Sequence, residues 1–168
     1  MEAVNLAIVK WWANAAFAVH HDFKSHTGAT MSLGKGAVQV ISSKQKLNTK
    51  SSTEAELVAA DDTLSHLLQT KYFLEAQGYP SDQTILYQDN TSAILLENNG
   101  RSSSGKSTRH INIRYYFIKD RIESGDLEIQ HCPTDNLIAD HMSKPLQGAK
   151  FYRFCKAILN LLTSNWET

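Results

Sequence analysis

The sequence predicts an α/β fold: one mixed sheet with helices on both faces, and the order of its segments carries that prediction. Three β-leaning segments fill residues 7–45, and the later segments follow in the order helix, strand, helix, helix, strand, helix. Right-handed crossovers in such a series place the helices on the faces of an open sheet. The 168 residues, 42% of them hydrophobic, suit a single domain over positions 1–168.

Three antiparallel strands are predicted first. Residues 7–20 are rich in β-branched and aromatic side chains and are followed by a turn. The Gly34–Lys35–Gly36 stretch between two β-leaning runs is a hairpin signal. Trp11 and Trp12 are neighbours on the first strand, so their side chains point to opposite sides and one is expected in the core.

The later elements follow from helical periodicity and from turn residues. A helix is predicted over residues 53–77, with Ser51 and Glu54 as its capping box. The remaining predictions, in chain order, are a central strand at 84–88, a short helix capped by the cluster 89–92, a flexible loop at 99–108, a helix closed by Gly125, a strand at 127–132, a helix capped by 133–136 that holds Ala139 and Asp140, and an amphipathic helix at 148–163.

Composition excludes several classes of protein. The 17 basic and 17 acidic residues give a net charge of zero, so any nucleic-acid binding must depend on local patches. Two cysteines are too few for a disulfide framework and have no zinc-site spacing. No apolar run reaches the roughly 20 residues of a membrane helix, and the N-terminus has no signal-peptide pattern, so we expect an intracellular protein that does not enter a membrane.

Three acidic residues are candidates for a site, although each has an ordinary alternative. Asp89 ends the central strand, where open α/β sheets place their sites, but aspartate there is also a common helix N-cap. Glu56 lies one turn into its helix and could simply favour the helix dipole. Asp140 could be an exposed carboxylate on an amphipathic helix. Spacing alone does not bring the three together.

Four runs of the sequence resemble the ribonuclease H domain of copia-type retrotransposon polyproteins. They are LNTKSSTEAELVAADD, LYQDNTSAILLE, TRHINIRYYFIKDRI and CPTDNLIADHMSKPLQG, and they occur in the family's order and spacing. The opening WANAAFAVHHDFKSHTGATMSLGKGAVQ resembles the family's first three strands. The resemblance covers about residues 10–155 and implies a ribonuclease H-like five-stranded sheet, with three antiparallel strands followed by parallel ones.

The resemblance also implies four carboxylates that hold two divalent metal ions. The second, third and fourth fall on Glu56, Asp89 and Asp140, whereas the first falls on Asn14, where the family has aspartate. His110 matches the histidine of the family's third motif and is included as a catalytic candidate. The asparagine indicates an engineered change or a diverged copy; Gln69, where the family often has tryptophan, favours a natural variant.

The implied chemistry explains why carboxylates are needed. Magnesium prefers oxygen ligands in octahedral geometry, and manganese is an expected substitute. Two such ions can hold the attacking water and the leaving oxygen during phosphodiester cleavage. An asparagine keeps one coordinating oxygen but loses the charge and the second anionic oxygen. We therefore expect weakened metal binding and impaired cleavage.

An RNA/DNA hybrid is the substrate that the resemblance implies, and two basic clusters are candidates for phosphate contacts. Polar residues beside the acidic positions are candidates for hydrogen bonds to the hybrid. The predicted contacts are Lys44, Lys46, Lys50, Lys106, Arg109 and Arg114, together with Thr53, Asn90 and Ser92. The ordinary alternative for the lysines is a solvated surface.

Three functional hypotheses remain open at this point. The first is an endonuclease that cuts the RNA strand of a hybrid during reverse transcription. The second, motivated by Asn14, is a silent domain that binds hybrid or supports the reverse transcriptase module of the same polyprotein. The third is another nuclease or an integrase of the same fold. The resemblance implies the cytoplasm, within a virus-like particle, or the nucleus.

Overall fold

The structure is a computed structural model that describes residues 8–99 and 109–161, with the backbone alone at residues 99 and 109–112. Most of the predicted loop at 99–108 therefore lies outside the described residues. None of the helices in the described ranges is long and apolar enough to span a membrane.

Five strands form one mixed sheet. They are β1 (Ile8–Ala16), β2 (His26–Ser32), β3 (Gln39–Lys44), β4 (Gln83–Gln88) and β5 (Glu128–His131). Their order across the sheet is β3-β2-β1-β4-β5. The first three strands pair antiparallel, and β4 pairs parallel with both β1 and β5. The predicted fold class is confirmed.

The sheet carries helices on both faces because β1 has apolar side chains on both. Trp11 is fully buried and packs with Leu57, Leu64 and other residues of the helix that follows β3. Trp12 faces the other way, stacks on Tyr87 with ring centroids 5.2 Å apart, and packs beside a smaller apolar cluster. The predicted division between the two tryptophans is therefore correct.

Five helices complete the fold: α1 (Ser52–Ala76), α2 (Thr91–Asn99), α3 (Arg109–Glu123), α4 (Asp140–Ser143) and α5 (Gly148–Leu159). The predicted capping box of α1 is present in modified form. The Ser51 hydroxyl accepts a hydrogen bond from the Glu54 backbone N–H, but the Glu54 carboxylate accepts from Lys50 N–H rather than from the N-cap.

Three predicted boundaries are wrong for local reasons. Helix α5 ends at Leu159 rather than at residue 163, because Asn160 adopts the left-handed conformation. The first strand ends at Ala16 rather than His20, because residues 17 and 18 already belong to the turn and Ala18 has a positive φ. Residues 134–136 form their own 3₁₀ turn instead of capping a longer helix. Helix α4 therefore begins at Asp140, and Ala139 lies just outside it.

Gly28 lets α4 approach the sheet closely. It pairs with Asn14 across β1 and β2. A Cβ atom at Gly28 would lie 2.6 Å from the Ser143 backbone nitrogen and 2.7 Å from the Ala139 carbonyl oxygen. Such distances are below any ordinary contact, so a side chain here would push α4 away. The glycine thus allows Asp140 to reach the centre of the sheet.

Candidate active site

Strand register brings Asn14 and Asp89 to the same edge of the sheet. Trp12 on β1 pairs with Tyr87 on the parallel strand β4. Asn14 and Asp89 each lie two residues further along, so they follow the paired segment side by side. This edge lies at the carboxyl ends of the two central parallel strands, where open α/β sheets place their sites.

Asn14 is directly bonded to α4. Its side chain is 1% exposed, and its Nδ2 donates to Asp140 Oδ1 at 2.7 Å and to Ser143 Oγ at 2.5 Å. The amide thus shares the buried Oδ1 of Asp140 with the Lys144 ammonium group, which bonds the same oxygen. An aspartate at position 14 would place a second anion here in place of these donors.

Glu56 is held against β1 by the packing of small residues. Ala15, Ala55 and Ala59 form a tight cluster that brings the first turns of α1 onto the strand. Glu56 Oε1 accepts a hydrogen bond from the Ala15 backbone N–H at 3.1 Å, while the buried Oε2 has no partner among the described groups. The side chain is therefore not the exposed, dipole-stabilising glutamate of the ordinary alternative.

The pKa of the Glu56 carboxyl is raised to about 8, mainly by burial. The nearby charges of Asp89 and Asp140 contribute to this rise, whereas the Ala15 hydrogen bond and Lys144 oppose it. A buried carboxyl that is repelled by two anions and has one oxygen without a partner is suited to binding a cation.

Asp140 is buried between two lysines. It is 2% exposed, and its oxygens accept from Lys144 Nζ and Lys150 Nζ, each at 2.7 Å. Lys144 follows one helical turn after Asp140, and Lys150 comes from the first turn of α5. These two ammonium groups compensate the buried charge, so the ordinary alternative of an exposed surface carboxylate is wrong.

Asp89 is partly exposed and its Oδ2 accepts a hydrogen bond from Thr134 Oγ1 at 2.8 Å. Asp89 does not cap α2, since the Asn90 side-chain oxygen accepts from the Ala93 backbone N–H. The predicted capping cluster is therefore correct, but Asn90 is the residue that caps.

The two halves of this site differ in their fitness for a metal ion. Glu56 and Asp89 supply oxygen ligands, and the Glu56 oxygen without a partner suits a hard dication. Asp140 instead faces the N–H groups of Asn14 and the ammonium groups of two lysines. Within the described residues, no group of three His, Cys, Asp or Glu side chains has the spacing of a metal site. The donor chemistry of Glu56 and Asp89 thus suits a cation, whereas the surroundings of Asp140 do not.

The predicted hybrid-binding residues are only partly placed. Lys44, Lys46, Lys50 and Ser92 are exposed, and Thr53 and Asn90 are partly exposed. The Lys44 ammonium group lies 3.1 Å from Asp22. Arg114 is bonded to Asp61 and Asp62 of α1, so its guanidinium is engaged within the protein.

Three predicted residues cannot be placed in the site. Lys106 lies outside the described residues, and Arg109 and His110 are placed only as backbone in the first turn of α3. Their roles stay predictions.

Four further residues contact the candidate carboxylates and were not predicted from the sequence. Ser143, Lys144 and Lys150 contact the Asn14–Asp140 pair, and Thr134 contacts Asp89. Lys144 could have been found, because it stands four residues after Asp140, at the C-cap of α4. Lys150 and Thr134 come from other elements and carry no such local signal.

Comparison of sequences finds relatives among transposon polyproteins. The chain is 32% identical over 155 residues to the retrovirus-related Pol polyprotein from transposon TNT 1-94 of Nicotiana tabacum, covering 92% of this chain and 11% of that protein. It is 33% identical over 138 residues to the Pol polyproteins of transposons RE2 and RE1 of Arabidopsis thaliana, covering 82% of this chain and 9% of each. The chain thus spans about a tenth of the length of these relatives. No protein-family model matches it.

Comparison of structures finds ribonuclease H proteins. LC11-RNase H1, isolated from compost, matches with a TM-score of 0.57 at 11% identity, covering 81% of this chain and 92% of that one. The N-terminal RNase H domain of a Mycobacterium tuberculosis protein matches with a TM-score of 0.51 at 10% identity, covering 89% and 96%. At these identities the likeness establishes the fold. The chain is therefore a homologue of one segment of retrotransposon Pol polyproteins, and it has the fold of a ribonuclease H domain.

Proposed function

We propose that this domain acts on RNA/DNA hybrids and cuts the RNA strand by metal-dependent hydrolysis, with activity reduced by Asn14. The observation that carries the proposal is the meeting of Asn14, Glu56, Asp89 and Asp140 at one sheet edge of this fold. The polyprotein relatives support it, as does the structure of LC11-RNase H1 in complex with an RNA/DNA hybrid, which matches at a TM-score of 0.54.

Glu56 and Asp89 would hold the divalent ion. A bound magnesium or manganese ion would supply charge stabilisation and activation of water for phosphodiester hydrolysis. Within the protein, the Ala15 N–H orients the Glu56 carboxylate, and the Thr134 hydroxyl orients that of Asp89. Both contacts leave further oxygen lone pairs for coordination.

The Asp140 half supports reduced activity. Asn14 directs N–H groups toward Asp140, and Lys144 and Lys150 compensate its charge. A second ion here would have to displace at least one lysine without the help of a carboxylate at position 14. The same observation favours a second candidate function, a domain that binds hybrid without cutting it.

The partner and cellular setting belong to the same proposal. The relatives are whole Pol polyproteins, so a reverse transcriptase module on the same chain is the expected partner. Its work on hybrids would take place in the cytoplasm within a virus-like particle or in the nucleus. No membrane association is proposed.

The test compares duplexes of one sequence. Labelled RNA/DNA, RNA/RNA and DNA/DNA duplexes are incubated with the protein and Mg²⁺ or Mn²⁺, and both binding and cleavage are measured. We expect preferential binding of the hybrid and slow cutting of its RNA strand, abolished in Asp89→Asn. Hybrid binding without cutting would select the silent-domain alternative. Equal binding of all three duplexes, or preferential cutting of DNA/DNA, would contradict the proposal and favour another nuclease or an integrase.

A further inference from the structure

A second buried carboxyl lies beneath the candidate site. Glu97 in the last turn of α2 is fully buried, with no exposed surface. It touches none of the lysines that compensate Asp140, and its described electrostatic neighbours are Glu56 and Gln88. A carboxylate in such a place is costly unless it is protonated or paired.

Gln88 connects Glu97 to α1. Its side chain is fully buried at the end of β4, immediately before Asp89. Its Nε2 donates to the Glu56 backbone carbonyl at 3.3 Å. The other end of the amide lies 2.9 and 3.3 Å from the two Glu97 carboxyl oxygens. The Gln88 side chain therefore lies between the Glu56 backbone on α1 and the Glu97 carboxyl on α2, directly before Asp89 in the chain.

The orientation of the Gln88 amide and the protonation state of Glu97 are linked. When Gln88 donates to the Glu56 carbonyl, its amide oxygen faces the Glu97 carboxyl. Two acceptors at 2.9 Å repel each other, but an O–H on Glu97 turns the contact into a hydrogen bond. Turning the amide would pair an N–H with an ionised Glu97 but would lose the bond to Glu56. A neutral Glu97 keeps both bonds.

We propose that Glu97 is a neutral carboxylic acid that donates to Gln88 and thereby acts as a positioning residue for Glu56 and Asp89. The O–H of Glu97 orients the Gln88 amide, and that amide fixes the backbone of Glu56 relative to the residue before Asp89. The separation of the two candidate ligands then depends on a side chain that touches neither. The positioning role rests on the proposed function of the Glu56–Asp89 pair, whereas the protonation state does not.

The groups around Glu97 agree with a neutral form. Burial raises the pKa of Glu97 well above its ordinary value and the charge of Glu56 contributes to the rise, whereas the contact with Gln88 lowers the pKa by less than these two raise it. Tyr115 of α3 also faces this region; burial raises its pKa to about 12, and Glu97 and Glu54 add to the shift. Among the described side chains, these neighbours supply no positive charge that would favour ionised Glu97.

The first experiment measures stability against pH for the wild type and Glu97→Gln, with the exposed Glu75→Gln as the matched control. A folded-state pKa above the unfolded value means that the unfolded chain releases a proton which the folded chain keeps. Wild-type stability is then fully present below about pH 4.5 and falls as the pH rises toward the folded pKa. We expect the unfolding constant of the wild type to rise relative to that of Glu97→Gln by up to about tenfold per pH unit in this window.

A ratio of the wild-type to the Glu97→Gln unfolding constant that stays flat or falls with rising pH would show that Glu97 is ionised and overturn the neutral form. A ¹³C NMR titration of the wild-type side-chain carboxyl carbons gives the same answer without a variant. There the Glu97 signal should keep its protonated shift at neutral pH.

The second experiment measures Mn²⁺ affinity by electron paramagnetic resonance for wild type, Glu97→Gln and Glu97→Leu. Loss of partners that orient metal ligands typically weakens binding by about 10–100-fold. We expect a loss of that size in Glu97→Leu and near-complete rescue in Glu97→Gln, whose amide can still donate to Gln88. A folded Glu97→Leu with unchanged Mn²⁺ affinity would overturn the positioning role alone. If the wild type does not bind Mn²⁺, or if Asp89→Asn leaves Mn²⁺ binding unchanged, the metal site of the proposed function is wrong. The positioning role of Glu97 then fails with it, whereas the neutral form of Glu97 is unaffected.

Discussion

The substitution Asn14→Asp should destabilise the protein in the absence of metal, although it restores the residue expected from the resemblance. Asn14 is 1% exposed and Asp140 2% exposed, so the new carboxylate would enter a buried site already occupied by an anion. It would also remove the donors of the amide, leaving an oxygen of Asp140 facing another acceptor, while the Ser143 hydroxyl can turn to donate to the new carboxylate.

The expected cost follows from the lost bond to Asp140. A hydrogen bond to a charged acceptor contributes about 1.5–3 kcal/mol, and the Ser143 bond is exchanged rather than lost. The substitution therefore costs about 1.5–3 kcal/mol of unfolding free energy. Lys144 and Lys150 lie against Asp140 and offset part of the added charge, which keeps the cost within that range.

Urea unfolding in a chelating buffer and then in saturating Mg²⁺ measures this effect, with the exposed Asn136→Asp as the control for an added charge. Mg²⁺ at a free concentration a hundred times its dissociation constant stabilises the folded protein by about 2.7 kcal/mol. Asn14→Asp should therefore be the less stable protein without metal and recover most of its loss with it. Equal stability of Asn14→Asp and wild type in chelator would refute the packing of Asn14 against Asp140.

Three further predictions concern the surroundings of the site. Gly28→Ala should lower the unfolding free energy by about 1–3 kcal/mol in urea titrations, because its Cβ would collide with the α4 backbone; a stable Gly28→Ala would mean that α4 does not lie against β2. Asp126→Asn should cost about 1 kcal/mol at neutral pH. Lys71 holds the pKa of Asp126 below its ordinary value, so the stability that the ionised Asp126 contributes is present above about pH 4 and is lost as the pH falls. If Asp126→Asn remains less stable than wild type in acid, this explanation is wrong. The affinity for the hybrid should fall steeply as the salt concentration rises. The double substitution of Lys46 and Lys50 by alanine should reduce the slope of log affinity against log salt concentration by up to about 1.4–1.8. An unchanged slope would exclude phosphate contacts by these lysines.

Local patterns predicted the parts of the fold that depend on local forces. Ser51 and Glu54 marked the start of α1 because a capping box acts within one turn. The alternation of Trp11 and Trp12 was likewise readable, since a strand sends neighbouring side chains to opposite faces. The short α4 was harder to predict, because its position depends on Gly28 of a distant strand rather than on its own four residues.

The candidate site was predicted from the resemblance and not from spacing. Asn14 and Asp140 are 126 residues apart, and no periodicity in the sequence links them. Lys150 on Asp140 and the Gln88–Glu97 contact were missed for the same reason: each depends on which elements the fold brings together. The burial of the acidic residues could not be predicted from the sequence either, because glutamate and aspartate usually lie on the surface, whereas Glu56, Glu97 and Asp140 are buried.

The most direct test of the proposed function is the rate at which wild type and Asn14→Asp cut the RNA strand of one labelled hybrid in saturating Mg²⁺. We expect Asn14→Asp to cut faster by on the order of a hundredfold or more, equivalent to about 2.7 kcal/mol of transition-state stabilisation, because position 14 then supplies the anion that the Asp140 half lacks. Equal rates for the two proteins would contradict the assignment of position 14 to the metal site.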